Sequence, residues 1–202
     1  MNMIFDLDGT LIDASERMYR LFQKLIPESE LTKEQYWALK RNKISHQMIL
    51  EKSFPLHDFD SFQRAWLAQI EQEHYLDMDC NYPDTIAVLS ALSRNYEIVL
   101  LTARQSKENL YHELERLGLK PFFSRILVTE ARTGKNALLE KSDLTKSDDD
   151  VFVSDMGKDI LTGKALGYKT VGITHGFMSG EALRAYQPDH LINTLNQLLD
   201  VI

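Results

Sequence analysis

The sequence predicts an α/β protein with a parallel sheet covered by helices on both faces and a helical segment inserted after the first strand. In the second half of the chain, short apolar runs alternate with helical patterns, which is typical of a parallel sheet buried on both sides. Residues 14–81 interrupt this alternation, because they carry helical patterns only. We therefore expect an α/β core domain made of residues 1–13 and 82–202, and a helical domain at residues 14–81.

The composition excludes several classes of protein. With 44% hydrophobic and 26% charged residues, the 202-residue chain has the balance of a soluble globular protein. The net charge of −7, without a basic stripe, argues against a nucleic-acid surface. Cys80 is the only cysteine and cannot form an internal disulfide, which fits a reducing compartment. No apolar run approaches a membrane span. We expect a cytoplasmic protein without a membrane or nucleic-acid partner, and the sequence does not indicate its oligomeric state.

The elements of the first half follow from an apolar run and from capping signals. Residues 3–5 are apolar and predict a buried strand, after which Gly9 permits a sharp turn. Helix starts are then predicted by four capping signals, namely Asp13 with Glu16, Thr32 with Gln35, Ser45, and Asp60 with Gln63.

The second half reads as alternating strands and helices. Strands are predicted at 97–102, 126–128, 151–154, 170–174 and 191–192. The helices between them are predicted at 83–94, through 110–117, for about eight residues from 134, at 158–166 and through 182–186, and an amphipathic helix follows the last strand. Gly118 and Gly167 are placed to end two of these helices.

Polar side chains follow the predicted strands directly. Asp6 and Asp8 come after the first strand, Thr102 ends the second, and Asp155 follows the fourth. Ligands of open parallel sheets bind at the carboxyl ends of strands, so these side chains are expected to share one crevice. Taken alone, Asp-Leu-Asp-Gly fits an acidic turn as well as a metal-dependent site. The set as a whole, with Asp159 at a helix start and Lys135 as a nearby cation, favours a phosphoryl-transfer site.

These residues carry a family resemblance. Asp6–Thr10 (DLDGT), Leu100–Arg104 (LLTAR), Lys135 and Ser154–Asp159 (SDMGKD) resemble the four motifs of the haloacid dehalogenase superfamily. The helical segment resembles the small helical cap of that superfamily, and the end of the chain is similar to its phosphoglycolate phosphatase-like branch. The resemblance implies a three-layer Rossmann-like core with strand order 5-4-1-2-3, in which the first strand is central.

The resemblance also implies roles for the motif residues. Asp6 would be the nucleophile that forms an aspartyl-phosphate, and Asp8 would protonate the leaving alcohol and then activate water. A Mg²⁺ ion would be held by Asp6, by the backbone carbonyl of Asp8 and by Asp155. Asp159 would be a further ligand or would orient the ligand waters. The phosphate would be held by Thr102, by the adjacent backbone N–H at Ala103 and by Lys135.

The resemblance also implies that Asp8 distinguishes between the activities found in the superfamily. Family dehalogenases do not place an Asp two residues after the nucleophile, so Asp8 favours a phosphatase or a phosphomutase. The sugar phosphomutases of this group use a His shortly after the first motif, whereas the first His of this chain is His46. We therefore expect a Mg²⁺-dependent phosphatase of a small phosphomonoester such as phosphoglycolate. A sugar phosphomutase and a non-catalytic protein-interaction module remain the alternatives.

Some residues depart from the family pattern, and other candidates for substrate contact lie outside the four motifs. The family usually has Gly where Ser154 stands and often has Ser or Thr where Met156 stands, and Lys158 adds a cation beside the predicted metal. In the helical segment, Arg41 or Lys43 is expected either to reach a substrate carboxylate or second phosphate, or to lie in a solvated loop. Arg104 and His175, beside strand ends, are lesser candidates for substrate contact.

Overall fold

A computed structural model describes all residues, 1–202, and contains one six-stranded parallel sheet. The chain forms eight strands: β1 (Asn2–Phe5), β2 (Ile12–Asp13), β3 (Cys80–Asn81), β4 (Glu97–Thr102), β5 (Arg125–Val128), β6 (Val151–Ser154), β7 (Lys169–Ile173) and β8 (His190–Ile192). The sheet order is β5-β4-β1-β6-β7-β8. The predicted central position of the first strand, beside the fourth strand of the core, is confirmed, and β8 adds a sixth strand at the edge.

Five helices lie between β2 and β3. They are α1 (Ser15–Leu25), α2 (Lys33–Arg41), α3 (His46–Ser53), α4 (Phe59–Gln69) and α5 (Glu73–Leu76). Their apolar faces form a cluster of their own, which contains Phe22, Tyr36 and Phe62. The strands β2 and β3 pair antiparallel and tie the two ends of this segment together. The proposed boundary between two domains falls at this ribbon and stays a prediction.

The capping predictions were partly right. Thr32 and Gln35 form the expected capping box, and the Ser45 hydroxyl accepts a hydrogen bond from the backbone N–H of Met48. Two helix starts were wrong. The carboxylate of Asp13, which lies in β2, accepts a hydrogen bond from the N–H of Ser15, but Ala14 occupies the N-cap position of α1. The N-cap of α4 is Asp58 instead of Asp60, because the Asp58 carboxylate accepts a hydrogen bond from the N–H of Ser61 although no Glu or Gln follows it at the position that marked Asp60.

Helices cover both faces of the sheet. They are α6 (Thr85–Leu92), α7 (Lys107–Arg116), α8 (Lys135–Lys141), α9 (Gly157–Ala165), α10 (Gly180–Arg184) and α11 (Leu198–Val201), with 3₁₀ turns at Lys120–Phe122 and Leu195–Gln197. The alternation of side chains along β1 shows the two faces, since Met3 and Phe5 belong to one buried cluster and Ile4 belongs to another. None of the helices combines the length and the hydrophobicity needed to cross a bilayer.

The strand order brings the chemical residues to one edge. Since β1 lies between β4 and β6, the residues that end or follow these three strands are neighbours. Asp6 follows β1, Thr102 is the last residue of β4, and Ser154 is the last residue of β6. Gly9 has a φ of +79°, so the turn after β1 uses a conformation that glycine adopts without strain.

Candidate active site

A cavity of about 900 Å³ opens at the carboxyl edge of the sheet. Its wall on the sheet side includes most of the residues predicted from the strand ends, namely Asp6, Asp8, Thr102, Ala103, Lys135 and Asp159. The helical segment contributes Lys40, Lys43 and Ile44 to the opposite wall. The structure therefore brings the predicted residues together in one crevice between the sheet and the helical segment.

Lys135 is the cation at the centre of this crevice. Its Nζ donates to Asp6 Oδ1 at 2.8 Å and to Asp159 Oδ2 at 2.6 Å. The two carboxylates raise the pKa of Lys135 against the lowering effect of burial, so this side chain stays charged. Lys135 is the first residue of α8, which explains how a lysine distant in sequence reaches the end of β1.

Asp159 is held by a residue that departs from the family pattern. The Ser154 hydroxyl donates to Asp159 Oδ2 at 2.9 Å and accepts from the N–H of Met156 at 3.0 Å. Ser154 is fully buried, so these bonds have little competition from water. The serine is thus more than a tolerated substitution, because it orients the carboxylate that positions Lys135.

Asp6 is a buried carboxylate with a raised pKa. Burial raises the pKa of Asp6 to about 7, and the charges of Asp159 and Asp8 add to this, while the Lys135 ammonium opposes it. A nucleophilic carboxylate has to be ionised, so further positive charge beside Asp6 would increase the fraction that can react at neutral pH.

The side-chain hydroxyl of Thr102 indicates where a ligand would bind in the cavity. Its hydroxyl is buried at the end of β4 and has no hydrogen-bond partner in the protein. Buried polar groups are nearly always paired, and one that is left unpaired in a ligand-sized cavity indicates a partner supplied by the ligand. This agrees with the predicted phosphate contact.

Asp155 is completely buried and is not among the residues that line the cavity. Its Oδ2 accepts from the N–H of Phe177 at 2.6 Å, and its Oδ1 accepts from the Thr10 hydroxyl at 3.0 Å. A Cβ on Gly9 or on Gly176 would approach Asp155 Oδ2 to 2.3 or 2.2 Å, so only glycine fits at these two positions. The carboxylate is therefore tightly enclosed by backbone.

The carboxyl groups of Asp6 and Asp155 fit a bound cation because of their charge. Burial and the charge of Asp6 raise the pKa of Asp155 well above its usual range, so both groups become ionised together only when more positive charge is present. No group of three or more His, Cys, Asp or Glu side chains is arranged to hold a metal ion. The predicted ligand set contains two carboxylate side chains, and its third protein ligand is the backbone carbonyl of Asp8.

Asp8 is held by two arginines. Arg104 Nε donates to Asp8 Oδ2 at 2.7 Å, Arg104 Nη2 donates to Oδ1 at 2.8 Å, and Arg17 Nη2 also donates to Oδ1. Burial alone would raise the pKa of Asp8, but Arg104 and Arg17 lower it to about 2. The sequence did not single out Arg17, which was read as part of an ordinary amphipathic helix. Arg104 was expected near substrate and instead binds Asp8.

The two candidates for substrate contact in the helical segment, Arg41 and Lys43, lie in different places. Lys43 lines the cavity, and its ammonium lies 4.6 Å from the ring centroid of Tyr186. Arg41 does not line the cavity, because it donates to the backbone carbonyls of Thr174, His175 and Gly176 at 2.8, 3.1 and 3.2 Å. In this arrangement Arg41 joins the helical segment to the core.

Two further residues differ from what their position in the sequence suggested. His175 lies outside the cavity, since its ring stacks on Tyr82 with centroids 3.7 Å apart and its Nε2 is 3.1 Å from the carbonyl of Thr10. Lys40 lines the cavity as well; it belongs to the same short run of cations as Arg41 and Lys43 but was not expected to contact substrate, and burial lowers its pKa to about 8.

The chain was compared with known proteins. Residues 3–173 match the family model described as haloacid dehalogenase-like hydrolase. The chain is 26% identical to the pyrophosphatase PpaX of Bacillus pumilus, over 99% of this chain and 95% of that protein. It is 25% identical to a phosphoglycolate phosphatase of Vibrio parahaemolyticus, over 98% and 94%. Among solved structures, a haloacid dehalogenase-like family hydrolase from Streptococcus pneumoniae superposes with a TM-score of 0.77 at 22% identity, over 99% of this chain and 97% of that one. The chain belongs to the haloacid dehalogenase-like hydrolases.

Proposed function

We propose that this protein is a Mg²⁺-dependent phosphatase that hydrolyses a small phosphorylated metabolite through an aspartyl-phosphate on Asp6. The observation that carries the proposal is the cavity in which Asp6, Lys135 and the unpartnered Thr102 hydroxyl lie together. Relatives named as phosphatases and as pyrophosphatases support the same reaction type.

In the first half-reaction, a carboxylate oxygen of Asp6 attacks phosphorus while the bond from phosphorus to the leaving oxygen breaks. Lys135 and the hydroxyl of Thr102 hold the phosphoryl oxygens, where charge is spread in the transition state. The leaving alcohol takes a proton from Asp8, which has to gain that proton from water first, because Arg104 and Arg17 keep its free carboxyl group ionised. A leaving group that is stable as an anion, such as phosphate, needs no such proton.

In the second half-reaction, water attacks phosphorus and the bond between phosphorus and Asp6 breaks. Asp8 accepts the proton of the attacking water. The arginine contacts of Asp8 support this step most directly, because they keep its carboxylate ionised and able to accept.

The metal-binding role is assigned to Asp6, Asp155 and the backbone carbonyl of Asp8. Bound Mg²⁺ would supply the positive charge that allows an ionised carboxylate to approach a phosphate dianion. The buried, like-charged pair of Asp6 and Asp155 supports this assignment. Asp159 contributes by holding Lys135.

The substrate has to fit the wall formed by the helical segment. Lys43 and Lys40 face the cavity, and neither makes an ion pair with a carboxylate. We assign Lys43 to a second anionic group of the substrate, which pyrophosphate and phosphoglycolate both carry. The names of the relatives favour these two compounds as the first to be tested.

The proposal is tested by phosphate release from a panel containing pyrophosphate, phosphoglycolate and hexose phosphates, with and without Mg²⁺. We expect hydrolysis that requires Mg²⁺ and is abolished in Asp6→Asn. Asp149→Asn is the matched control, because Asp149 is exposed, pairs with Lys169 and lies in the loop before β6.

Two results would favour the alternatives. Transfer of phosphate to a second sugar hydroxyl instead of water would show a phosphomutase. An intact fold that hydrolyses nothing in a broad panel would show a non-catalytic interaction module and overturn the proposal.

A further inference from the structure

Asp8 is the cavity-facing member of a buried cluster of charged side chains. Both oxygens of its carboxylate accept hydrogen bonds from Arg104, and Oδ1 also accepts one from Arg17. The two arginines come from different parts of the fold, since Arg17 lies on α1 in the helical segment and Arg104 follows β4 of the sheet. Asp8 is therefore held from two sides.

Two acids hold the arginines from behind. Asp79 Oδ1 lies 3.2 Å from Arg17 Nε, and Asp79 Oδ2 lies 3.4 Å from Arg104 Nη2. Glu113 Oε2 lies 2.9 Å from the same Nη2. The side chains of Asp79 and Glu113 are 0% and 1% exposed, whereas that of Asp8 is 22% exposed. The cluster thus opens to the cavity at Asp8.

The composition of this cluster is poor for stability. It sets three carboxyl groups beside two guanidinium groups away from water, and Arg104 Nη1 and Glu113 Oε1 are buried without a hydrogen-bond partner. Buried ion clusters are often no more stabilising than apolar residues of the same volume. Its contact with the cavity points to a task at Asp8 instead.

The geometry indicates what that task is. Asp8 stands two residues after Asp6, so a freely rotating Asp8 carboxylate would be drawn to any cation bound beside Asp6. Arginine forks fix a carboxylate in both distance and orientation. Held by them, Asp8 keeps its side chain away from such a cation.

We propose that Arg17 and Arg104 are positioning residues that hold the Asp8 carboxylate in one orientation, directed at the leaving oxygen. This inference rests on the proposed phosphatase function. Because Arg17 belongs to the helical segment, the position of that segment is coupled to the orientation of Asp8.

The test uses two phosphomonoesters that differ in their need for a proton. An alkyl phosphate such as glycerol 2-phosphate releases an alkoxide unless it is protonated, whereas 4-nitrophenyl phosphate releases a stable phenolate. The parameter kcat/KM reports the steps up to departure of the leaving group, so it isolates this difference from the later attack of water. Arg17→Met and Arg104→Met are compared with wild type at saturating Mg²⁺.

We expect both variants to lose about tenfold or more of kcat/KM on the alkyl phosphate and about threefold or less on the aryl phosphate. Removing an arginine also makes Asp8 easier to protonate, which by itself would speed hydrolysis of the alkyl phosphate, so a loss on that substrate reports the orientation of Asp8. Arg17→Lys should recover part of the loss. Arg116→Met is the matched control, because Arg116 donates to the backbone carbonyls of Leu76 and Asp79 at the same junction without contacting Asp8. It should change both substrates equally or not at all.

Equal losses on the two substrates, or no loss on either, would overturn the positioning role while leaving the phosphatase proposal intact. If Arg104→Met does not fold, Arg17→Met and Arg17→Lys decide the question. A wild-type protein that hydrolyses neither substrate would overturn both the phosphatase proposal and this one.

Discussion

We expect the substitution Thr102→Val to make the protein more stable and less active. Valine has nearly the shape of threonine and removes only the hydroxyl, which is buried without a protein partner. An unpaired buried hydroxyl costs about 1–3 kcal/mol, so we expect Thr102→Val to raise the free energy of unfolding by about 1 kcal/mol. A hydrogen bond to a charged phosphoryl group contributes about 1.5–3 kcal/mol, so kcat/KM should fall by about 10- to 150-fold.

The measurements are urea denaturation without ligand and initial rates on the best substrate. Thr170→Val is the matched control, because Thr170 is also fully buried in the sheet but its hydroxyl is paired with Asp189. It donates to Asp189 Oδ2 at 2.7 Å and accepts from the N–H of Asp189 at 3.1 Å. Thr170→Val should therefore lose stability and keep its activity. A Thr102→Val protein that is destabilised and fully active would refute the reasoning.

Three further substitutions test other parts of the site. Ser154→Ala removes the hydroxyl that orients Asp159, so the free energy of unfolding in urea should fall by about 1–2 kcal/mol, and no change would count against that role. Burial raises the pKa of Asp79 from 3.8 to about 9 against the charge of Arg17, so the folded protein keeps a proton that the unfolded chain releases. Stability should thus fall as pH rises through this window, by up to about 1.4 kcal/mol per pH unit, and Asp79→Asn should remove that slope in denaturation series at pH 5 and pH 8. Lys43→Ala should raise KM on pyrophosphate or phosphoglycolate more than it lowers kcat, and unchanged kinetics would exclude the substrate contact.

The sequence predicted the sheet well because its strands are continuous apolar runs. The bounds of β4 and β6 were predicted to the residue, since each apolar run ends in a polar residue, Thr102 or Ser154. The ribbon of β2 and β3 was missed, because two-residue strands leave no periodic pattern. Its pairing depends on where the helical segment returns to the core.

The residues of the candidate site were predictable where a polar side chain stands at the end of a strand or belongs to a family motif. Asp6 and Thr102 satisfy that rule, and the structure brings them together. Arg17 and Glu113 do not, because charged residues on helices usually face solvent and their burial depends on packing between distant segments. Asp79 does not either, because it lies in the short connection between α5 and β3. A buried acid on a helix such as Glu113 has the same sequence signature as an exposed one.

The two carboxylates of the first motif are held by different kinds of cation, and the difference suits different tasks. Lys135 is a point charge on a flexible stem, so an incoming phosphoryl group can take over its contact and leave Asp6 free to attack. The guanidinium of Arg104 is a rigid fork that contacts both oxygens of Asp8, so substrate binding does not readily displace it. In the proposed reaction, Asp6 would therefore be released when substrate binds, while Asp8 would keep its orientation. This separation requires lysine and arginine at these positions, and exchanging the two cations would exchange a mobile contact for a fixed one.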